Sequence, residues 1–388
     1  MTTPKPFAIR IPDEKLAAIR ARVEAYSWFP APANEQDFAY GMATPVMQDI
    51  QRYWLETYDW RAAEAELNRW PQFTAEVDGQ AIHFVHVVGE AKGRRPLLIT
   101  HGWPGSVYEF WQAIGPLAFP SEHGGCAEDA FDLVIPSLPG YGFSGKPASP
   151  LGQRATAALW DKLMRDVLGY PAYLAQGGDW GSMVTSWLGK NHGTADGKGG
   201  CRGIHLNMMA MRPTPALPQT PEETAWLQRS QMMMQMEGAY LMQQATKPQT
   251  LAMALMDSPM GTAAWILEKF HGWSDLRERG LLEVYTRDQM LTNVMIYLVN
   301  DAIATSVWYY NALFQEGGAS LPEGERCETP TAFASYPGEE YILAPPQSWA
   351  KRAYNITRWT QLPRGGHFAA MEVPEIYVAD VRDWARSA

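Results

Sequence analysis

The sequence predicts an α/β fold in which a mostly parallel central sheet is flanked by helices and carries an inserted helical cap. Short apolar runs that end in Gly-rich loops recur along the chain, and helical stretches separate most of them, which is the pattern of a parallel sheet. A mostly helical segment, residues 212–325, interrupts this alternation and is rich in Met and Trp. A chain of 388 residues can hold one large α/β domain with such an insertion, or two domains.

The first 72 residues are expected to form an N-terminal helical meander that packs on the core. A helix is predicted over about 13–26, with Asp13 as its capping residue, and a second helix over roughly 45–58. The apolar spacing then changes to strand-like alternation, and residues 75–88 predict a hairpin that turns at Asp78-Gly79.

The remaining chain divides into a first core part (73–211), the cap (212–325) and a second core part (326–388). Core strands are predicted at residues 97–100, 131–135, 173–175, 203–206, 330–334 and 356–359, and a terminal helix at 374 to about 386. The cap therefore follows the strand predicted at residues 203–206. In such sheets the chemistry lies at the carboxyl ends of the strands.

Charge and apolarity argue against nucleic acid and membrane as partners. The formal net charge is −10 without a block of Lys or Arg. The N-terminus has no apolar stretch of signal-peptide length. The most apolar long segment, 290–310, contains Asn293, Asn300 and Asp301 and is interpreted as one buried helix.

Cysteine usage predicts a reducing compartment. Cys126, Cys201 and Cys327 are odd in number and widely spaced, so they suggest neither a disulfide framework nor a C-x-x-C metal site. A cytoplasmic protein is expected. Nothing in the sequence indicates a metal or an organic cofactor, and a homodimer is left open.

The most informative motif is Gly-Gly-Asp-Trp-Gly-Ser at 177–182, directly after a short apolar run. It fits the nucleophile elbow G-x-Nu-x-G of the α/β-hydrolase fold, with Asp179 in the position of the nucleophile. A carboxylate there attacks an electrophilic sp³ carbon and forms an ester with it. The alternative is an ordinary turn whose Asp caps the next helix.

Three further segments complete a predicted site. His-Gly-Trp-Pro-Gly-Ser at 101–106 follows a core strand, and its backbone N–H at Trp103 is expected to form an oxyanion hole with that of Trp180. His367, between the last strand and the terminal helix, falls where the base is needed, because the chain order of this fold is nucleophile, acid, histidine. Glu339 is the preferred acid, and the adjacent Glu340 is the alternative.

These motifs resemble the epoxide hydrolases of the α/β-hydrolase superfamily, specifically the microsomal-type branch. The resemblance runs almost from end to end of the chain. It rests on F-x-I-x-I-P at 7–12, HGWPGS at 101–106, LPGYGFS at 138–144, GGDWGS at 177–182, QATKP at 244–248, DSP at 257–259, LTNVM at 291–295 and RGGHFAA at 364–370.

The resemblance implies a nucleophilic Asp, a His base and two cap tyrosines that donate to the epoxide oxygen. Asp179 and His367 match directly, and Tyr240 and Tyr310 match the tyrosines by their neighbouring motifs. The expected reaction turns a small apolar epoxide and a catalytic water into a vicinal diol, with no cofactor. The sequence does not separate a detoxification role from a biosynthetic one.

Two other functions remain open from the sequence. A haloalkane dehalogenase also uses an Asp nucleophile and a His base, but it does not need paired tyrosines. A catalytically silent ligand-binding protein on the same fold is the other alternative, because a fold does not prove a function.

Overall fold

A nine-stranded sheet organises the computed structural model, which describes residues 3–35, 38–194, 200–277 and 279–388. The strands are β1 (Lys5–Phe7), β2 (Gln72–Val77), β3 (Gln80–Val87), β4 (Arg95–Thr100), β5 (Phe131–Pro136), β6 (Ala172–Gly177), β7 (Gly200–Leu206), β8 (Cys327–Ser335) and β9 (Tyr354–Gln361). Their order across the sheet is β1-β2-β3-β5-β4-β6-β7-β8-β9. From β5 to β9 all neighbours are parallel, so the mostly parallel sheet is confirmed.

Helices flank this sheet on the described part of the chain. The α-helices are α1 (Asp13–Glu24), α2 (Thr44–Glu56), α3 (Trp60–Leu67), α4 (Trp111–Ala118), α5 (Gln153–Lys162), α6 (Asp179–His192), α7 (Pro221–Glu237), α8 (Ala239–Thr246), α9 (Pro248–Asp257), α10 (Pro259–Trp273), α11 (Leu281–Val284), α12 (Arg287–Val299), α13 (Ala302–Ser306), α14 (Trp308–Gln315), α15 (Gln347–Ala353), α16 (Ala369–Glu372) and α17 (Pro374–Ser387). Helices α7 to α14 all lie between β7 and β8, within the predicted cap.

The predicted hairpin is confirmed as β2 and β3. Val77 pairs with Gln80, so Asp78 and Gly79 form a two-residue loop. Both have positive φ, 49° and 78°. A two-residue turn with positive φ at both positions twists in the same sense as the strands that it joins. It therefore suits a tight hairpin.

The predicted capping role of Asp13 is wrong. Pro12 occupies the N-cap position of α1, and no side chain accepts a hydrogen bond from this end of the helix. Asp13 lies in the first turn, and its carboxylate pairs with Arg61 of α3. The N-terminal region also contains a strand that was not predicted, since β1 pairs antiparallel with β2.

The single helix predicted over 290–310 is also wrong, because the chain breaks there into α12, α13 and α14. At the first break Asp301 has a φ of 53°, and the Asn300 side chain donates to the carbonyl of Gly142. Asp301 also pairs with Lys15 at 2.5 Å. Polar contacts therefore hold the break, and the chain bends by 87° between 287–299 and 302–315.

Among the described residues, no single helix is long and apolar enough to cross a membrane. The bent pair of helices at 287–299 and 302–315 reaches that length and apolarity when the two are taken together, by length and composition only.

Two strand ends set the position of the predicted site. In the parallel register of β4 and β6, Thr100 lies beside Gly177. The loop with Trp103 and the turn with Asp179 therefore leave the sheet side by side. This close approach leaves no room for a side chain at Gly181, where an added Cβ would lie 1.8 Å from the Thr100 carbonyl oxygen.

We expect Gly181→Ala to lower the free energy of unfolding by about 3 kcal/mol or more, because backbone has to move to admit the methyl group. Thermal unfolding followed by circular dichroism should show a fall in Tm of about 4 °C or more. Gly272→Ala near the end of α10 is the matched control, since its added Cβ meets nothing within 4 Å. Equal Tm values for the two variants would contradict this prediction.

Candidate functional site

Asp179 lies at the junction of β6 and α6 in a left-handed backbone conformation, with a φ of 46°. This conformation is uncommon outside glycine and marks a constrained turn. Its Oδ1 accepts a hydrogen bond from the backbone N–H of Trp103 at 2.7 Å. Gly102 allows this approach, since an added Cβ there would lie 2.1 Å from the same oxygen. The carboxylate is thus fixed in direction before any substrate binds.

His367 lies between two carboxylates. Its Nδ1 is 2.5 Å from Oε2 of Glu339, and its Nε2 is 3.3 Å from Oδ2 of Asp179. The other Glu339 oxygen accepts the backbone N–H of Ile342 at 3.0 Å. Glu340 is exposed on the same loop. The structure therefore brings Glu339, and not Glu340, to the histidine.

The charges around His367 determine the direction of its pKa. Burial disfavours the imidazolium, but the carboxylates of Glu339 and Asp179 outweigh that effect and raise the pKa of His367 well above its usual value. The opposite holds for His101, whose pKa burial lowers to about 4. His101 accepts the backbone N–H of Leu138 at 3.1 Å, so it links the 101–106 loop to the 138–144 segment.

Tyr240 and Tyr310 lie together in the cap, close enough to Asp179 for its carboxylate to act on both electrostatically. They are 5% and 2% exposed, and their ring centroids are 5.8 Å apart. Burial raises the pKa of both well above the usual value, so both hydroxyls keep their protons. Their two buried hydroxyls interact with each other. Tyr309 points away, and its hydroxyl bonds Thr156 at 2.8 Å.

The two tryptophans predicted for the oxyanion hole lie on either side of this site. The Trp103 N–H already binds Asp179, and its ring stacks on Tyr240 at 5.4 Å. Trp180 is in the first turn of α6, where backbone N–H groups have no partner within the helix. Its ring packs edge-on against Tyr310 at 4.6 Å.

A segment of the cap holds the loop that carries His367. No motif in the sequence indicated this contact. The His367 N–H donates to the carbonyl of Trp273 at 2.9 Å, and the Gly365 N–H donates to Oδ2 of Asp275 at 2.9 Å. The Asp275 N–H donates in turn to Glu372 at 2.7 Å. The Trp273 ring also lies 4.8 Å from the imidazole.

Two more residues beside the tyrosines were missed. Tyr341 stacks on Trp273 at 5.2 Å and lies 6.0 Å from Tyr240 between ring centroids. Lys269 is buried with its ammonium 4.4 Å from the centre of the Tyr240 ring. A lysine in the apolar run Ile-Leu-Glu-Lys-Phe, 266–270, was the only sequence signal for it.

Comparison with known proteins gives consistent results. Residues 4–110 match a family model described as the epoxide hydrolase N terminus, and residues 95–372 match the alpha/beta hydrolase fold. A putative epoxide hydrolase of Stigmatella aurantiaca is 39% identical over 98% of this chain and 84% of its own length. Epoxide hydrolase 1 of Sus scrofa is 34% identical over 97% of this chain and 87% of its own.

Solved structures are also similar over the full length. The epoxide hydrolase of Aspergillus niger aligns with a TM-score of 0.84 at 30% identity, covering 100% of this chain and 97% of that chain. The juvenile hormone epoxide hydrolase of Bombyx mori aligns with a TM-score of 0.82 at 31% identity, covering 100% and 94%.

We expect Glu339→Gln to lower the pKa of His367, because one of the two carboxylates that favour the imidazolium is lost. Glu340→Gln is the matched control and should leave that pKa unchanged, since Glu340 is exposed. The measurement is a pH titration of the imidazole nitrogens by NMR of ¹⁵N-histidine-labelled protein. Equal shifts in both variants would contradict the assignment of Glu339 as the partner.

Proposed function

The chain belongs to the epoxide hydrolases of the α/β-hydrolase superfamily, and we propose that it forms its diol through a covalent ester on Asp179. The observation that carries this proposal is the geometry around Asp179. One carboxylate oxygen is held by the Trp103 N–H, while the other is 3.3 Å from His367. Two cap tyrosines, Tyr240 and Tyr310, are buried against the ring of Trp103 beside this carboxylate.

In the first step, Oδ2 of Asp179 attacks an epoxide carbon from the face opposite the oxygen. The carbon–oxygen bond breaks as the ester bond forms, and the oxygen takes a proton from Tyr240 or Tyr310. Hydrogen bonds from the two tyrosines stabilise the charge that develops there. Oδ1 stays with the Trp103 N–H and becomes the carbonyl oxygen of the ester.

The first step also changes the pKa of His367, the proposed base. Forming the ester removes the negative charge of Asp179, which is one of the groups that raise the pKa of His367. The pKa of His367 therefore falls, and this favours the loss of its proton. Neutral imidazole, oriented by Glu339 at Nδ1, can then accept a proton from water at Nε2.

In the second step, that water attacks the carbonyl carbon of the ester. The developing oxyanion is Oδ1, already bound to the Trp103 N–H and next to the N-terminus of α6. Collapse of this intermediate releases the vicinal diol, whose leaving oxygen takes the proton from His367. The proton left on the new carboxyl group of Asp179 restores the tyrosine hydroxyl that was deprotonated in the first step. Asp179 is a carboxylate again, and one water has been consumed.

The lining of the site supports a small apolar epoxide as the substrate. Trp103, Trp180 and Trp273 surround the tyrosines, and all three rings are buried. A dehalogenase needs N–H donors for a halide, and the buried indole of Trp180 could supply one. It does not need the paired Tyr240 and Tyr310, whose two hydroxyls fit an epoxide oxygen. A cytoplasmic location also remains a proposal, supported by three free cysteines.

We expect His367→Gln to accumulate a covalent adduct of one substrate mass on Asp179 after brief exposure to styrene oxide, because the ester forms but loses its base. Wild type should turn over to diol without accumulation. The measurement is intact-protein mass spectrometry, with peptide mapping of the adduct.

Two outcomes would contradict the proposal. An adduct with a haloalkane, but with none of a panel of epoxides, would favour a dehalogenase. No adduct and no turnover with either class would favour a silent binding protein.

We expect Tyr240→Phe and Tyr310→Phe each to slow ester formation by about 10²-fold, because one donor to the epoxide oxygen is lost. The double variant should be slower than either single variant. Tyr309→Phe is the matched control, since its hydroxyl bonds Thr156 outside the site. Stopped-flow tryptophan fluorescence under single-turnover conditions measures these rates. A Tyr309→Phe rate as low as that of Tyr310→Phe would oppose this assignment.

A further inference from the structure

A buried lysine lies beside the predicted proton donors. Lys269 belongs to α10, and its side chain is only 4% exposed. Its ammonium is 4.4 Å from the centre of the Tyr240 ring and 5.5 Å from the centre of the Trp273 ring. Buried lysines are rare in proteins, because removing the charge from water is costly unless it finds partners.

Among the described residues, the partners of this ammonium are the Tyr240 and Trp273 rings and one carboxylate. Glu268 lies 2.7 Å away, but its side chain is 29% exposed, so water screens much of its charge. The face of Tyr240 has no such contact with water, since this residue is 5% exposed. A cation over an aromatic face is attracted to it, and more strongly when both are desolvated.

The rest of the Tyr240 ring is enclosed. Trp103 stacks on it with an interplanar angle of 11°, and Tyr310 meets it nearly at right angles. Trp273 and Tyr341 contact it as well, with centroids 5.3 Å and 6.0 Å away. Charge that develops on Tyr240 is therefore poorly stabilised by water, and the nearest cation has a large effect on it.

We propose that Lys269 is a positioning residue for the ring-opening step, and that its ammonium stabilises the negative charge that Tyr240 acquires on giving its proton to the epoxide oxygen. The inference rests on the proposed function and deepens it. The phenol proton moves to the oxygen of the opening epoxide and leaves a phenolate, which the ammonium faces across the ring. Lys269 itself transfers no proton and touches no reacting atom.

This role makes Tyr240 and Tyr310 unequal. Lys269 faces the ring of Tyr240, whereas the ring of Tyr310 packs against Trp180 and Trp103. Tyr240 is then the residue that releases its proton. Tyr310 serves as a second hydrogen-bond donor that holds the oxygen in place.

The test is a double-mutant cycle on the ester-forming step. Lys269→Met keeps an unbranched stem of similar length and removes the charge. We expect it to slow ester formation with styrene oxide by about 10- to 30-fold, the size of a desolvated cation–π contact. Ester hydrolysis, which depends on His367, should keep its rate. Rapid-quench mass spectrometry under single-turnover conditions resolves both steps.

Combining Lys269→Met with a tyrosine substitution distinguishes an electrostatic role of Lys269 from a structural one. With Tyr240→Phe already present, Lys269→Met should cause no further loss, because the hydroxyl on which the ammonium acts is gone. With Tyr310→Phe present, the loss should persist in full. Lys269→Arg should restore most of the rate, since it keeps the cation. Lys351→Met, at an exposed position of α15, is the control and should match wild type.

Two results would overturn the inference. One is an unchanged rate of ester formation in Lys269→Met. The other is a loss of the same size with Tyr240 present or replaced, which would show a purely structural effect. If Lys269→Met does not fold, Lys269→Gln and Lys269→Arg supply the same comparison. Failure of the proposed function has a different signature, because wild type itself would then give no ester with any epoxide.

Discussion

The left-handed backbone at Asp179 is the constraint on which the rest of the site depends. A φ of 46° directs the carboxylate away from the sheet at the start of α6. That turn is possible only because glycines surround it: a Cβ on Gly177 would lie 2.2 Å from the Gly181 carbonyl oxygen, and one on Gly102 would meet the carboxylate itself. Close packing of β4, β6 and α6 therefore holds a conformation that Asp seldom adopts alone.

Parallel strand order explains how residues from the end of the chain reach this carboxylate. Glu339 follows β8 and His367 follows β9, and both strands end on the same edge of the sheet as β6. The Gly338 N–H donates to the Gly365 carbonyl at 2.8 Å, so the two loops are joined directly. The sheet thus converts a separation of nearly 200 residues into a contact.

The sequence predicted the features that depend on local motifs, but not those that depend on contacts between distant residues. The hairpin at 78–79 and the turn at 179 follow from local motifs, and so does the position of His367 beside Asp179. The choice between Glu339 and Glu340 needed the loop geometry, because neighbouring side chains point in different directions. The break at Asp301 and the buried Lys269 depend on distant contacts with Lys15 and Tyr240 that no local pattern reveals. The domain boundaries stay a prediction.

The hydrogen bonds from Trp273 and Asp275 to the loop of His367 have a consequence for the order of events. Asp179 is positioned by the core, whereas His367 depends on the cap. Under the proposed mechanism, a molecule whose cap swings out in mid-cycle would lose the alignment of His367, yet its substrate could not leave, because the proposed ester would tether it to Asp179. Premature opening would then delay a turnover without aborting it, and the proposed ester would prevent the loss of a half-processed substrate.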